Sequence, residues 1–467
     1  MSEGGLPSES GRNYDAFMNL DQNIFREYDI RGEVGPQLTL EVVTLIGKAL
    51  GTFFIKNVAK RIAVGYDARE SSPIFKDILV RELNVCGCDA VVIGRVPTPV
   101  LYHTVFTKDV DGGVMITGSH NPANHNGFKI SIGKQTLFGE QIQEIKNLIL
   151  AGDFAKGEGT ESHIDVLSDY IEDIVSKVSL GDRKLKVVVD GGNGMGGVTA
   201  VPVFKKLRCE LIELFTEPDS QFPNHHPDPT VEENLLDAVD AVKQNKADLA
   251  IAFDGDGDRI GVVEETGRII WGDELMILLS REILKENPGA TIIGEVKCSS
   301  RLYDDIKLKG GNPIMWKAGH SLIKSKMKET GAALAGEMSG HIFFADRFYG
   351  FDDATYAGAR LIEILSKTDK PLSSLLGDLP PSHFTPELRV PCTEERKFEV
   401  VKEIAEIFSK TNDVITIDGA RIIFEDGWGL VRASNTQAIL VLRFEAQSEA
   451  SLERIRSIVE GELKKLL

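Results

Sequence analysis

From Leu38 to Lys56 apolar residues return at helical spacing: Val42, Leu45, Ile46, Leu50 and Phe53 would share one face. Thr39 stands where a helix N-cap hydroxyl is needed. Arg61–Asp67 then reads as a short strand. Ser72-Pro73 opens the next helix, with the serine as cap and the proline at the first helical position. Ala90–Ile93 and Gly113–Ile116 are two further buried strands. Strands alternating with helices predict a parallel sheet with helices on its faces.

The alternation restarts at Lys184. Lys186–Val189 is a strand, a glycine-rich turn follows, and Val198–Leu207 is a helix. Leu249–Phe253 and Ile260–Glu264 are strands on either side of an acidic turn. A third alternating stretch runs from Asp273 to about Asp378. Pro380, Pro381, Pro386 and Pro391 then mark a linker over Leu379–Cys392. Beyond it the order changes to a helix (Phe398–Ser409), a run of strands (Val414–Phe444) and a closing helix (Ala450–Leu466), the order of a small α+β domain. The fold class expected is therefore three consecutive α/β domains plus a C-terminal α+β domain. The boundaries expected are 20–166, 167–268, 269–379 and 380–467, after a mobile tail over residues 1–19.

Composition narrows the function. A net charge of −18 argues against nucleic acid or an anionic membrane as the main partner, though local arginine and lysine can still hold a small anion. No apolar run approaches the roughly 18 residues of a membrane helix. The first residues have neither the basic start nor the apolar stretch of a secretory signal. Five cysteines, an odd number with no C-x-x-C pair, fit a reducing cytoplasm better than a disulfide or zinc framework.

The acidic turn is Phe253-Asp-Gly-Asp-Gly-Asp-Arg259. Three carboxylates at alternating positions suit a hard cation that prefers oxygen. On an extended strand Asp254 and Asp258 would lie roughly 13 Å apart, so the chain must curl, and Gly255 and Gly257 permit that. An EF-hand register is formally possible with Glu265 in twelfth place. It fails because Arg259 stands where glycine is required and the flanks are strands.

A second motif, Thr117-Gly-Ser-His-Asn-Pro-Ala-Asn-His-Asn-Gly-Phe-Lys129, carries Ser119 on a loop that follows a strand. G-x-S-x-G would need glycines where Thr117 and Asn121 stand. An ordinary loop serine and a phosphate carrier both remain open. A phosphoserine would bring about −1.5 to −2 charges and three acceptor oxygens, one of them able to complete a magnesium shell begun by the aspartates. Lys129, further along that loop, offers a proton-transfer group. Arg432-Ala-Ser-Asn-Thr436 offers a guanidinium, two hydroxyls, an amide and loop N–H groups for a phosphate, though alone it is an ordinary polar loop. Gly336-Glu-Met-Ser-Gly-His341 places Glu337 and Ser339 where they could hold vicinal sugar hydroxyls. Gly192-Asn-Gly-Met-Gly-Gly197 matches G-x-G-x-x-G, but no hydride-transfer residues accompany it, and a tight strand-to-helix turn is the better reading.

Taken together and in chain order, these motifs resemble the α-D-phosphohexomutase superfamily, closest to its bacterial phosphomannomutase/phosphoglucomutase branch. Phe25-Arg-Glu-Tyr-Asp-Ile-Arg-Gly32, Phe222-Pro-Asn-His-His-Pro-Asp-Pro229 and Lys317-Ala-Gly-His-Ser321 extend the likeness from Phe25 to about Leu463. The resemblance implies four domains around one central cleft. Ser119 would be the phosphoserine, and Asp254, Asp256 and Asp258 would hold Mg²⁺ with it. Glu337 and Ser339 would bind sugar hydroxyls. Arg432, Ser434, Asn435 and Thr436 would grip the phosphate not being transferred. Tyr28, Arg31, Lys129, Arg259, Lys297 and His320 would line the cleft, with Lys129 as general base and His320 as a second proton-transfer group. One departure from the family pattern is Gln437-Ala438 after Thr436, where a proline often follows.

The activity implied is a cytoplasmic phosphotransferase that interconverts hexose 1- and 6-phosphates through a hexose 1,6-bisphosphate. Its partner would be a small phosphosugar, with neither nucleic acid nor membrane involved, and it would work as a monomer. Rival readings are a phosphoglucosamine mutase, a magnesium-dependent sugar phosphatase, and a calcium- or sugar-binding protein without turnover.

Overall fold

The computed structural model describes residues 20–435 and 438–467. The chain forms two compact units, one of residues up to Trp271 with Ser339–Leu372, the other of Gly272–Met338 with Ser373–Leu467. The expected tail over 1–19 lies outside the described residues. No described helix is long and apolar enough to cross a membrane.

In the first unit, the helix Leu40–Lys56 forms as its spacing predicts, and the Thr39 hydroxyl accepts from Val42 N. It lies over a mixed sheet. Gly112–Ile116, Arg61–Tyr66, Asp89–Arg95 and Glu161–His163 run parallel to one another in that order. Ile30–Glu33 and His125–Ile132 add an antiparallel margin. That margin corrects the sequence reading, in which residues 125–129 continue a loop. Gly127 sits inside the strand because a Cβ there would strike the Ile30 carbonyl. The helix after Arg61–Tyr66 spans Ser72–Val85. Ser71 is its N-cap residue and makes no capping bond, while Ser72 donates to Asp67 instead.

A second sheet runs Ile269–Ile270, Ile260–Glu264, Leu249–Phe253, Lys186–Asp190, Glu210–Leu214. Leu249–Phe253 is parallel to Lys186–Asp190 and antiparallel to Ile260–Glu264. The acidic turn is thus the connection of a central antiparallel pair. The helix Gly196–Lys206 carries Pro202 inside it and begins two residues before the expected start. Ala354–Ser366 is buried along most of its length in this unit. Thr355 and Thr199 share a hydroxyl hydrogen bond of 2.8 Å, and Gly358 leaves room for Phe204 and Ile251.

In the second unit, Thr291–Glu295 is parallel to Asn312–Trp316 on one side and Leu334–Gly336 on the other. The C-terminal sheet orders His383–Phe384, Ile439–Ala446, Gly427–Ala433, Ala420–Phe424 and Val414–Ile415, all antiparallel, with helices Lys397–Phe408 and Glu449–Leu463. Part of the expected linker belongs to this sheet, since Leu388–Pro391 pairs with Ile439–Leu442. Pro391 is tolerated there as the last residue of a strand on the sheet's margin.

Candidate active site

The turn after Leu249–Phe253 folds back so tightly that one oxygen from each of Asp254, Asp256 and Asp258 falls within 4.8 Å of the others. All three side chains are fully buried. Gly257 takes a left-handed conformation (φ 75°), and Gly255 is needed because a Cβ would meet the Ser119 carbonyl. Asp254 accepts from the Asp258 and Arg259 amides at 3.0 and 3.1 Å. Thr98 donates to Asp256 at 2.5 Å.

Ser119 sits on the loop between Gly112–Ile116 and His125–Ile132, itself at φ 49°. Its hydroxyl lies 3.1 Å from Asp254 Oδ2 and 3.2 Å from His120 Nδ1. The nucleophile candidate and the acidic turn, far apart in sequence, are in contact. Lys129 is not on that loop but in mid-strand, paired with Met115. From there its ammonium reaches Asp256 and Asp258 at 2.7 and 2.5 Å.

The electrostatics follow from burial. Burial and the repulsion of Asp258 and Asp256 drive the Asp254 carboxyl well above the usual range. Burial works against the charge on Lys129, but Asp256 and Asp258 outweigh it and hold the ammonium well above its ordinary pKa. Burial, followed by the charges of Arg259, Arg31, His341 and Lys129, pushes His120 well below the usual imidazole value.

These residues fit a hard divalent cation. The set is oxygen-only, and Asp256 Oδ1 and Asp258 Oδ1 are buried without a hydrogen-bond partner. The coarse expectation of an acidic triad able to hold a metal is met.

Arg31 pairs across the sheet with Gly127 and donates to Asp29 at 2.6 Å. Tyr28 lies two residues ahead of the strand that carries Arg31. Arg259 donates from Nε to His341 Nε2 at 2.9 Å, which leaves His341 Nδ1 to carry a ring proton, facing Asp352 at 3.1 Å and Asp258 at 3.6 Å. Ser339 belongs to this unit and is half-buried. Sequence reasoning gave Thr98, His341 and Asp352 no role. The signal for His341 was its place closing Gly336–His341; that for Thr98 was a threonine between two prolines.

The second unit gathers the remaining residues. Glu337 accepts from the Gly319 amide at 2.7 Å, beside His320. Asp418 accepts from the Ala318 amide and pairs with Arg432, both at 3.0 Å, so residues 318–319, just ahead of the helix His320–Thr330, join Glu337 to Arg432. Lys297 pairs with Glu387 at 3.2 Å and lies 3.8 Å from Glu295. Burial opposes its charge, yet those carboxylates raise its pKa, while Lys297 pulls Glu387 down to about 2. Glu295, Glu387 and Asp418 were unmarked in the sequence, being single acids outside any motif. The Ser434 carbonyl accepts from Lys397 at 2.6 Å, and Asn435 follows, half-buried. Thr436 lies outside the described residues.

The glycine-rich turn 191–197 is a brace and not a dinucleotide loop. Met195 N donates to the Gly255 carbonyl at 2.9 Å, and a Cβ on Gly194 would strike Gly255. Next to it, His225 faces the His226 carbonyl through Nδ1 (3.0 Å) and Asp190 through Nε2 (3.1 Å). Both partners accept, so both ring nitrogens are placed to donate, which favours the imidazolium. Burial opposes that charge, but Asp190 outweighs it and the pKa is raised. A raised folded pKa gives stability that is complete below the unfolded value of about 6.5 and fades as pH climbs through the folded value. His225→Gln is therefore expected to lower the melting temperature more at pH 6 than at pH 9, as read by thermal unfolding at both pH values.

Comparison with known proteins follows the same outline. Four family models match in order: phosphoglucomutase/phosphomannomutase alpha/beta/alpha domain I at residues 22–156, domain II at 168–267, domain III at 271–383 and the C-terminal domain at 387–461. A phosphomannomutase/phosphoglucomutase of Pseudomonas aeruginosa is 47% identical over 446 residues, 95% of this chain and 96% of that one. A phosphoglucomutase of Neisseria meningitidis serogroup A is 46% identical over 444 residues, 94% and 96% of the two chains. The X-ray structure of a phosphoglucomutase/phosphomannomutase family protein from Burkholderia thailandensis matches with a TM-score of 0.90 at 45% identity, covering 96% of this chain and 98% of that one.

Proposed function

The chain belongs to the phosphoglucomutase/phosphomannomutase family, and from that premise we infer that it interconverts hexose 1-phosphate and hexose 6-phosphate, of mannose, glucose or both, through a phosphoserine at Ser119. The observation that carries this reading is the contact of Ser119 Oγ with Asp254, at 3.1 Å, which sets the serine against the acidic triad.

Phosphoserine 119 gives its phosphoryl group to the free hydroxyl of a hexose monophosphate. The bond from phosphorus to Ser119 Oγ breaks, one to the sugar oxygen forms, and the hydroxyl proton leaves to a base. The hexose 1,6-bisphosphate turns end for end, and its other phosphoryl returns to Ser119. Asp254, Asp256 and Asp258 would hold Mg²⁺, which neutralises charge on the transferring group when bound. Lys129 is the general base of this scheme; the two carboxylates that pair with its ammonium are ones that would turn to Mg²⁺ when it is bound, which would lower the Lys129 pKa toward that role. His320 is the second proton-transfer group. Glu337 and Ser339 hold sugar hydroxyls; Arg432, Ser434, Asn435 and Thr436 bind the stationary phosphate; Tyr28 and Lys297 contact substrate.

The test is intact mass before and after incubation with Mg²⁺ and glucose 1,6-bisphosphate, with the added phosphate mapped by peptide. About one phosphate on the 117–129 peptide, lost on adding excess hexose monophosphate, is expected; none on Ser119 would refute the cycle. Comparing turnover of mannose, glucose and glucosamine phosphates fixes the sugar. Arg432→Ala should raise KM about 10- to 100-fold, the worth of a charge-assisted hydrogen bond of about 1.5–3 kcal/mol, with a smaller change in kcat. An unchanged KM in steady-state kinetics would remove Arg432 from the phosphate loop.

A further inference from the structure

Arg69 lies between a strand and a helix, in no motif that the sequence marks, and is 1% exposed. A guanidinium has five N–H donors, and here every one is used. Nε donates to Asp67 Oδ2 at 3.1 Å. Nη1 donates to the His125 carbonyl at 2.9 Å and to that of Pro122. Nη2 donates to the carbonyls of Ser119 and Asn121 at 2.8 and 2.6 Å. Three carbonyls of a single loop, and that of the first residue of the strand after it, thus converge on one cation. Their dipoles would repel without it, and a neutral side chain could not satisfy them.

The frame around the guanidinium is equally specific. Asp67 also accepts from Arg69 N, the Gly118 amide and the Ser72 hydroxyl. Gly118 has to be glycine because a Cβ would collide with the guanidinium. The Phe222 ring lies 5.4 Å from the guanidinium carbon. Ser119 itself is held in a left-handed conformation that costs a non-glycine residue on the order of 1 kcal/mol. Its carbonyl is tied to Arg69 and its hydroxyl faces Asp254.

We propose that Arg69 is a positioning residue for the phosphoserine, a buried cation that fixes the 119–125 loop so that Ser119 Oγ meets the acidic triad at the same point in both phosphoryl transfers. The proposal rests on the mutase reading of Ser119. It gives a reason for the arginine beyond filling space: three of the carbonyls belong to the loop that carries the nucleophile, one of them the nucleophile's own, and the fourth opens the strand that follows it. A displacement of about 1 Å at a reacting group costs about 10²-fold in rate. Lysine keeps the charge but has three donors in place of five.

The experiment compares the parent, Arg69→Lys, and the double variant Asp67→Asn/Arg69→Met, which leaves no buried lone carboxylate. Thermal unfolding, KM for hexose 1-phosphate, kcat, and the rate of Ser119 phosphorylation by glucose 1,6-bisphosphate are measured for each. At least one variant is expected to fold, to keep KM within about threefold, and to lose about 10²-fold in both kcat and phosphorylation rate. A folded variant whose phosphorylation rate stays within threefold of the parent overturns the proposal. So does failure of both variants to fold, which would make Arg69 a folding residue, or a loss expressed in KM alone. A parent that is never phosphorylated on Ser119 would instead defeat the mutase reading itself.

Discussion

Ser119→Ala is expected to fold as the parent does and to lose at least about 10⁴-fold in mutase turnover, the scale on which removing a covalent nucleophile acts. Among the described residues the hydroxyl contacts Asp254 and His120. The loop is held by other groups, among them Thr117, whose hydroxyl accepts from the Ser119 amide at 2.8 Å. Alanine keeps the Cβ and hence the left-handed strain, so stability should change by less than about 1 kcal/mol. Ser119→Gly supplies the internal control. It removes the same oxygen and relieves the strain, so it should be equally inactive and more stable by up to about 1 kcal/mol. Coupled assays of hexose 6-phosphate formation, with chemical unfolding of each variant, decide the matter. Normal turnover by Ser119→Ala would leave the phosphoenzyme without its carrier.

Asp254→Asn is expected to move activity and stability in opposite directions. Burial and its two neighbours oppose the ionisation of Asp254. In the unfolded chain its pKa is near 3.9, so at neutral pH it is charged there and resists charge when folded. A folded pKa above the unfolded one, on an acid, means stability lost as pH rises past about 4. Asparagine is nearly isosteric, and its oxygen can still accept from the Asp258 and Arg259 amides. In EDTA at pH 7 the variant should therefore melt at or above the parent, with the difference narrowing toward pH 4. Added Mg²⁺ should stabilise the parent by mass action and leave the variant nearly unchanged. Turnover should fall by at least about 10³-fold, because a lost cation clamp forfeits several kcal/mol of transition-state stabilisation. A variant that melts below the parent in EDTA and still responds fully to Mg²⁺ would show that the three carboxylates do not form one cation site.

The acidic turn was legible in the sequence because every part of it is local. Two runs of buried apolar residues, Leu249–Phe253 and Ile260–Glu264, bracket glycines that permit a curl, and the structure has those strands with those bounds. Lys129 was misplaced onto a loop because the loop that begins at Thr117 was read through to it, past Gly127. That glycine is there because of the approach of a neighbouring strand that enters some hundred residues earlier. Pro380–Pro391 looked like a linker because four prolines deny amide donors, but a strand on a sheet margin needs few of them. Residues that act across long separations left no local trace. Thr98 reaches Asp256, His341 reaches Asp258 and Asp352, and Asp418 reaches Arg432 only in the folded chain.

The division of the chain also bears on its synthesis. A ribosome delivers the N-terminal side first. The unit holding Ser119 and the acidic triad is interrupted at Trp271 and resumes only at Ser339. Its interior is completed by Ala354–Ser366, against which Thr199, Phe204 and Ile251 pack. Until the translating chain reaches about Leu372, those apolar surfaces have no native cover, although Ser119 and all three aspartates were made long before. The nascent chain therefore carries Ser119 and the three aspartates through a prolonged unfinished stage, and that interval, not the C-terminal sheet made last, is when chaperone binding or misassembly would matter most.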